Sequence, residues 1–243
     1  MKVYIIGTSC TWFSRNNTSF ILDDKILFDA PSGIYKELIR KMDLFDIKSL
    51  YISHFHADHF ADVQVIVTRF MRESEKHNIK HNLKVYCPKG TLDHLIEYNT
   101  IIFGGADECD RESLTKKVDF IEVEDGDEFV DNGYKVKVYQ MDHGRVYCQG
   151  YTFTDENGQT IGFSADTKEC DNLDKMLQNS DVAFVDMASI DKHHSHLDVD
   201  GFIKLTKKYK NCKMYPVHTS DATQKFAEEN RLNAVHDGQE LNF

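Results

Sequence analysis

Long apolar runs are missing from this 243-residue chain. None approaches the ~18 residues a helix needs to span a bilayer, so no membrane partner is expected. The opening residues Met1 to Ile6 are too few and too strand-like for the apolar region of a secretory signal. Proline is scarce, at three residues, and no Pro/Ser-rich linker interrupts the chain. The length fits one large domain or two small ones. Without a linker, a single domain over residues 1–243 is expected. Short-period repeats and low-complexity tracts are absent. The six cysteines, Cys10, Cys87, Cys109, Cys148, Cys170 and Cys212, are scattered and form no C-x-x-C pair. They read as reduced thiols of a cytoplasmic protein. Positive charge is in deficit, with 29 Lys and Arg against 40 Asp and Glu, a net −11. That balance makes a nucleic-acid phosphate backbone a poor default partner.

What the chain does have is concentrated in one stretch, His54-Phe55-His56-Ala57-Asp58-His59. It follows the apolar run Leu50-Tyr51-Ile52, which reads as a strand end. It precedes a segment whose apolar residues at 60, 63, 66/67 and 70 recur at helical spacing. Three imidazoles and a carboxylate in one strand-to-helix turn suit zinc, and also iron or manganese. His54 and His56 are expected to project to one side, because side chains alternate along extended chain. Asp58 and His59, at the helix entry, can serve a neighbouring position. One turn can therefore feed two metal ions.

The rest of the chain alternates strand hairpins with helices. Thr18–Leu22 and Ile26–Phe28 flank Asp23-Asp24-Lys25, a hairpin signal. Ile34, Leu38 and Met42 share a helical face. Leu83–Cys87 reads as a strand and Thr91–Tyr98 as a short helix, with residues 103–117 an irregular connection. Tyr134–Met141 alternates cleanly, Tyr151–Thr154 and Thr160–Phe163 flank the turn Asn157-Gly158, and Val182–Val185 is an apolar strand ending at Asp186. Helices over about 199–209 and 222–230 surround a strand at Lys213–Val217. This pattern predicts an α+β fold, a four-layer αββα sandwich.

Three further candidates stand at strand ends, where sites tend to lie: His143, Asp166 and His218. His54, His56 and His143 would make one nitrogen-rich site, and Asp58, His59 and His218 a second. Asp166 can bridge the two, since a carboxylate has two oxygens. An edge left open to substrate marks a catalytic rather than a structural site.

The order H-x-H-x-D-H, strand-end His, Asp after a hairpin, His after a strand resembles the metallo-β-lactamase superfamily over essentially the whole chain. The resemblance implies the αββα sandwich and makes Asp29, in Leu27-Phe28-Asp29-Ala30, a buried support of the metal-binding turn. Asn17–Leu22, Gly150–Phe153, Phe163–Thr167, Ser195–Asp198 and Val217–Ser220 further resemble the ribonuclease Z-like phosphodiesterases. That likeness makes His196 an extra histidine near the scissile phosphate. Three departures stand out. Ala165 replaces the glycine usual before the bridging aspartate. Val185–Ser189 lacks the histidine-glutamate-alanine-threonine of ribonuclease Z, leaving Asp186 as a substitute for the glutamate. Asp166 comes only 23 positions after His143, which leaves no room for the tRNA-gripping arm.

The expected activity is thus metal-dependent hydrolysis of a small or cyclic phosphodiester, with two divalent ions, zinc, manganese or iron, holding a bridging hydroxide. Asp58 would orient that hydroxide and His196 would protonate the leaving oxygen. His193 and His194 read as surface histidines. Alternatives are a lactonase, a thioesterase or a ribonuclease Z-like nuclease on the same fold, and a diiron module. Asp166 disfavours a β-lactamase, whose equivalent position is usually cysteine or serine. His56 disfavours the diiron flavoproteins, which carry glutamate there. The oligomeric state is left open, a homodimer included.

Overall fold

The central strands are buried on both faces, and that sets the layering. In the computed structural model, which describes residues 1–103 and 110–243, the first sheet holds β1 (Lys2–Gly7), β2 (Ser19–Leu22), β3 (Ile26–Phe28), β4 (Ser49–Tyr51), β5 (Leu83–Cys87), β6 (Val118–Glu122) and a tail strand β13 (Glu240–Asn242). Their order is β13-β1-β2-β3-β4-β5-β6. Phe20, Leu22, Ile26, Phe28, Tyr51 and Tyr86 face the second sheet. Ile21, Leu27, Leu50 and Val85, one position away, join a separate cluster with α1 (Ile34–Lys41) and α3 (Val63–Glu73). Such two-sided burial is what a strand between layers requires.

The second sheet runs β12 (Lys213–Val217), β11 (Val182–Asp186), β10 (Thr160–Phe163), β9 (Val146–Thr154), β8 (Tyr134–His143) and β7 (Glu128–Asp131) in spatial order. Helices α6 (Asp171–Gln178) and α7 (Val199–Lys208) bury Leu173, Met176, Phe202 and Leu205 against it. The expected αββα sandwich is present. Its centre is aromatic: the Phe163 ring lies 5.1 Å from Phe20 and from Phe28, and stacks on Phe184 at 5.2 Å. Gly150 in β9 leaves no room for a side chain, since a Cβ there would come within 2.6 Å of the Met141 side chain and 2.7 Å of the Phe163 carbonyl.

Several elements differ from the sequence reading. The helix after the histidine turn is divided into α2 (Ala57–Phe60) and α3, because Asp62 turns its backbone N–H to the Ala30 carbonyl and its carboxylate to the Tyr35 N–H. The strand before it stops at Tyr51, so His54 and His56 lie on extended chain outside the sheet. The helix at Thr91 continues to Phe103, as α4. Of the irregular connection at 103–117, residues 104–109 lie outside the described residues and Arg111–Thr115 is a short helix, α5. A last helix, α8, spans Asp221–Glu229. Strand β7 and helix α6 were not foreseen. Among the described residues no disulfide forms, and no helix is long and apolar enough to cross a membrane.

Candidate metal centre

Loops after β1, β4, β8, β10, β11 and β12 meet at one edge of the sandwich. There the seven sequence-selected residues come together. Donor atoms of His54, His56, His143 and Asp166 lie within 4.8 Å of one another, as do those of Asp58, His59 and His218. Asp166 sits between the groups. Its Oδ2 is 3.7 Å from Nε2 of His54 and of His143 and 3.3 Å from Nε2 of His218, and its Oδ1 is 3.1 Å from Nε2 of His59. Asp58 Oδ2 lies 4.0 Å from Nε2 of both His59 and His218.

The orientation of the imidazoles follows from Asp29. This buried carboxylate accepts the Ser53 N–H on Oδ1, and the Ser53 hydroxyl and His59 Nδ1–H on Oδ2, each at 2.7 Å. With its hydrogen given to Asp29, the Ser53 Oγ can only accept from His54 Nδ1, 2.9 Å away. His54 and His59 therefore both carry their hydrogen on Nδ1 and turn a bare Nε2 lone pair inward. His143 does the same by donating Nδ1–H to the Ser195 carbonyl at 3.0 Å, which leaves Nε2 facing His56 Nδ1 at 3.2 Å. Such outer partners hold metal-binding histidines in register.

The interior is consequently short of cations. His54 Nε2, His59 Nε2, Asp166 Oδ1 and His218 Nδ1 are buried without a hydrogen-bond partner. His59 and Asp166 approach closely but are not aligned for a hydrogen bond. Buried acceptors converging on one another are costly unless a positive charge sits among them. Donors around one tetrahedral ion at about 2.0–2.1 Å stand ~3.3 Å apart, close to the separations of 3.1 to 3.7 Å about Asp166 and between His56 and His143, with Asp58 farther out at 4.0 Å. The donor set fits divalent metal. Burial opposes ionisation of Asp166; with no metal bound, positive charge on the His218, His59 and His54 imidazoles holds its carboxyl well below the usual carboxylate range, and a divalent ion would take over that charge.

His196 belongs to neither group, but its donor atom also lies within 4.8 Å of those of Asp166 and His218. Its ring stacks on His218 at 5.3 Å and meets His143 edge-on at 4.8 Å. Nδ1 is bonded to Asp186 Oδ2 at 2.8 Å, and Asp186 is fully buried. Burial alone would lower the His196 pKa, but the Asp186 charge and hydrogen bond carry it up to about 9. The Thr167 and Ala188 backbone N–H groups fix the Asp186 carboxylate. The exposed His193 also borders this cavity of about 410 Å³, with Cys10, Thr11, Trp12 and Phe13, whereas His194 does not. Burial, then the Asp186 and Asp166 charges, pushes the Cys10 thiol up to about 12, so it stays protonated near neutral pH. Sequence reasoning missed Thr11, whose hydroxyl donates to Asp58 Oδ2, and Ser53. Neither residue type signals a site by itself.

Comparison with known proteins agrees with this geometry. The family model described as the beta-lactamase superfamily domain matches residues 24–219, which take in every candidate ligand. The chain belongs to the beta-lactamase superfamily. Similar curated members include ribonuclease Z of Methanosarcina mazei, 26% identical over 149 residues, which cover 59% of this chain and 45% of that protein. Ribonuclease Z of Listeria monocytogenes is 26% identical over 196 residues, 75% of this chain and 60% of that one. The chain spans about half the length of the curated relatives it matches. Among solved structures, the metallo-beta-lactamase fold protein YhfI from Bacillus subtilis superposes with a TM-score of 0.80 at 16% identity, covering 99% of this chain and 98% of that one. A diphosphatase from the PhnP family gives 0.77 at 20%, covering 100% and 97%. These superpositions establish the superfamily's metallo-β-lactamase fold for this chain.

Proposed function

We infer that the chain is a binuclear metal-dependent hydrolase of small or cyclic phosphodiesters. The observation that carries this is the convergence of ring nitrogens of His54, His56, His59, His143 and His218 with the carboxylates of Asp166 and Asp58, and a protonatable His196 beside them. His54, His56 and His143 would hold one ion and Asp58, His59 and His218 the other, with Asp166 shared. Zinc suits this donor set, and manganese or iron is compatible with it. Bound there, divalent ions would supply Lewis acidity, acidifying water and neutralising phosphate oxygens.

The chain's own residues do the rest. Asp58, held by Thr11, orients the attacking water. Asp186 keeps His196 protonated through Nδ1, so that Nε2–H is free to protonate a departing alkoxide. Asp29 and Ser53 fix the tautomers. The choice of a small diester rests on two features. The hairpin between β8 and β9 is closed by Gly144 and Arg145 alone, with His143 paired to Val146. Strands β9 and β10 and their short turn take up most of the remaining chain to Asp166, so this span carries no nucleic-acid arm. The fold neighbours named as a diphosphatase and as yeast PDE1 support phosphoryl chemistry by analogy.

Turnover of bis(p-nitrophenyl) phosphate, measured alongside metal content, tests the reading. Hydrolysis of that diester and of a cyclic nucleotide, with two metals per chain, is expected. Efficient trimming of a precursor tRNA with no turnover of cyclic diesters would replace it with the nuclease reading. Activity on lactones or thioesters alone would move the chain to another hydrolase class.

A further inference from the structure

Trp12 is the only tryptophan of the chain, and 94% of its surface is exposed. An indole is normally mostly buried. Its backbone holds φ at 79°, where bulky side chains are rarely found. Two unfavourable features at one residue point to use rather than packing.

The loop that carries it is pinned on both sides. Thr8 and Ser9 N–H groups donate to the Asn16 carbonyl, Cys10 N–H to the Thr219 carbonyl, and Thr18 N–H to the Ser9 carbonyl. Arg15 clamps the loop through Nη1 to the Thr8 and Thr219 hydroxyls and through Nη2 to the Thr219 carbonyl. Adjacent Thr11 is bonded to Asp58. A held loop thus presents the indole at the rim of the cavity that His56, Asp58, Asp166, His196 and His218 also line. Phe13, 36% exposed, borders the same space. The volume of about 410 Å³ lies within the ~300–1,000 Å³ of small-molecule sites.

We propose that Trp12 is a stacking platform for the base of a nucleoside phosphodiester whose phosphate lies at the His/Asp cluster. This rests on the phosphodiesterase reading for the phosphate and adds the chemical class of one ester arm. A pentose phosphate offers an indole only a small, puckered C–H face. A nucleobase does, and stacking needs no base-specific hydrogen bond, so any of the bases fits. The cavity size and the chain's net negative charge favour a mononucleoside unit over a long polyanion.

Because Trp12 is the sole tryptophan, its fluorescence reports on this contact directly. The purified, metal-containing protein is titrated with adenosine 5′-monophosphate and, separately, with ribose 5-phosphate. Both affinities are also measured by calorimetry. The expected result is saturable quenching by the nucleotide alone and about ten- to hundred-fold tighter binding of the nucleotide than of the sugar phosphate, the usual worth of one aromatic–base stack. W12A should bring the nucleotide down to the affinity of ribose 5-phosphate, and W12F should retain most of the difference. Equal affinities in the native protein, an unaltered nucleotide affinity in W12A, or no binding of either probe each overturns the proposal. Binding is read without turnover. An inactive native protein that still prefers the nucleotide therefore refutes the catalytic reading alone, whereas an active protein indifferent to the base refutes only the role of Trp12.

Discussion

The pairing of His196 with Asp186 makes the pH dependence of this site a direct test of its chemistry. His196 titrates near 9, because Asp186 outweighs a burial that by itself would lower the pKa. A general acid must be protonated to act, so the rate on alkyl phosphodiesters should be full below that value and fall as pH rises through about 9. Asp186→Asn removes the charge but keeps one side-chain oxygen, which can still accept from the Thr167 N–H and His196 Nδ1–H that share Oδ2, while the Ala188 N–H on Oδ1 loses its acceptor. The His196 pKa should then fall to its ordinary 6.5 or lower, because burial still disfavours the charged ring. A group of pKa near 9 is about nine-tenths protonated at pH 8, and one near 6.5 about 3%, so the variant should be at least about thirty-fold slower there. The gap should close as pH is lowered and the variant's imidazole regains its proton. The assay is kcat/KM against pH on a diester with an alkyl leaving group, with a p-nitrophenyl diester as the control that needs no acid. Recovery at low pH separates a charge effect from structural damage, which would lower the rate equally at every pH. Superimposable profiles for native and variant, or a loss that ignores pH, would refute the role given to this pair.

Further outcomes follow from the same geometry. Asp166→Ala and His56→Ala should each lose bound metal and activity, because each removes a donor; elemental analysis that finds two ions retained in Asp166→Ala rules out its shared position. His196→Ala should keep both metals and lose about 10²–10⁴-fold on poor leaving groups but far less on p-nitrophenolate; an equal loss on both would make it a phosphate binder instead. Phe163→Ala should lower unfolding free energy by about 3–5 kcal/mol, read from denaturant curves, since the ring packs among Phe20, Phe28 and Phe184 in a fully buried layer; a loss under about 1 kcal/mol would mean that the two sheets can close over the cavity.

The histidine turn was legible because four candidate donors fall within six residues, a density that ordinary loops lack. His143, Asp166 and His218 were legible only as members of a pattern, each being unremarkable at its own strand end. Of the network that orients them only Asp29 was legible, through the family resemblance. Ser53 gains its meaning from Asp29, which lies 24 positions earlier in sequence and bonds it through space. Helix α6 was missed for a local reason: its N-cap is Cys170, whose sulfur accepts from the Leu173 N–H, and cysteine is not a residue that announces a helix start. The break between α2 and α3 was hidden because the apolar period runs on through Phe60 and Val63 while Asp62 bonds elsewhere.

Local preference and fold disagree at a few places, and those places gather at the site. Among the described residues, ten non-glycine residues hold positive φ, and six of these are Asn or Asp, which tolerate it. The other four are Trp12, Ala165, His218 and Arg231. Trp12 and His218 line the cavity, and Ala165 immediately precedes Asp166. At Ala165, φ is 53°, a conformation that costs glycine nothing and alanine on the order of 1 kcal/mol. That explains physically why glycine is the usual residue before this aspartate and why its replacement is tolerable: the turn, not the side chain, aims the carboxylate. Sequence patterns that depart from local rules at strand ends thus carry information about the site that periodicity within the strands cannot.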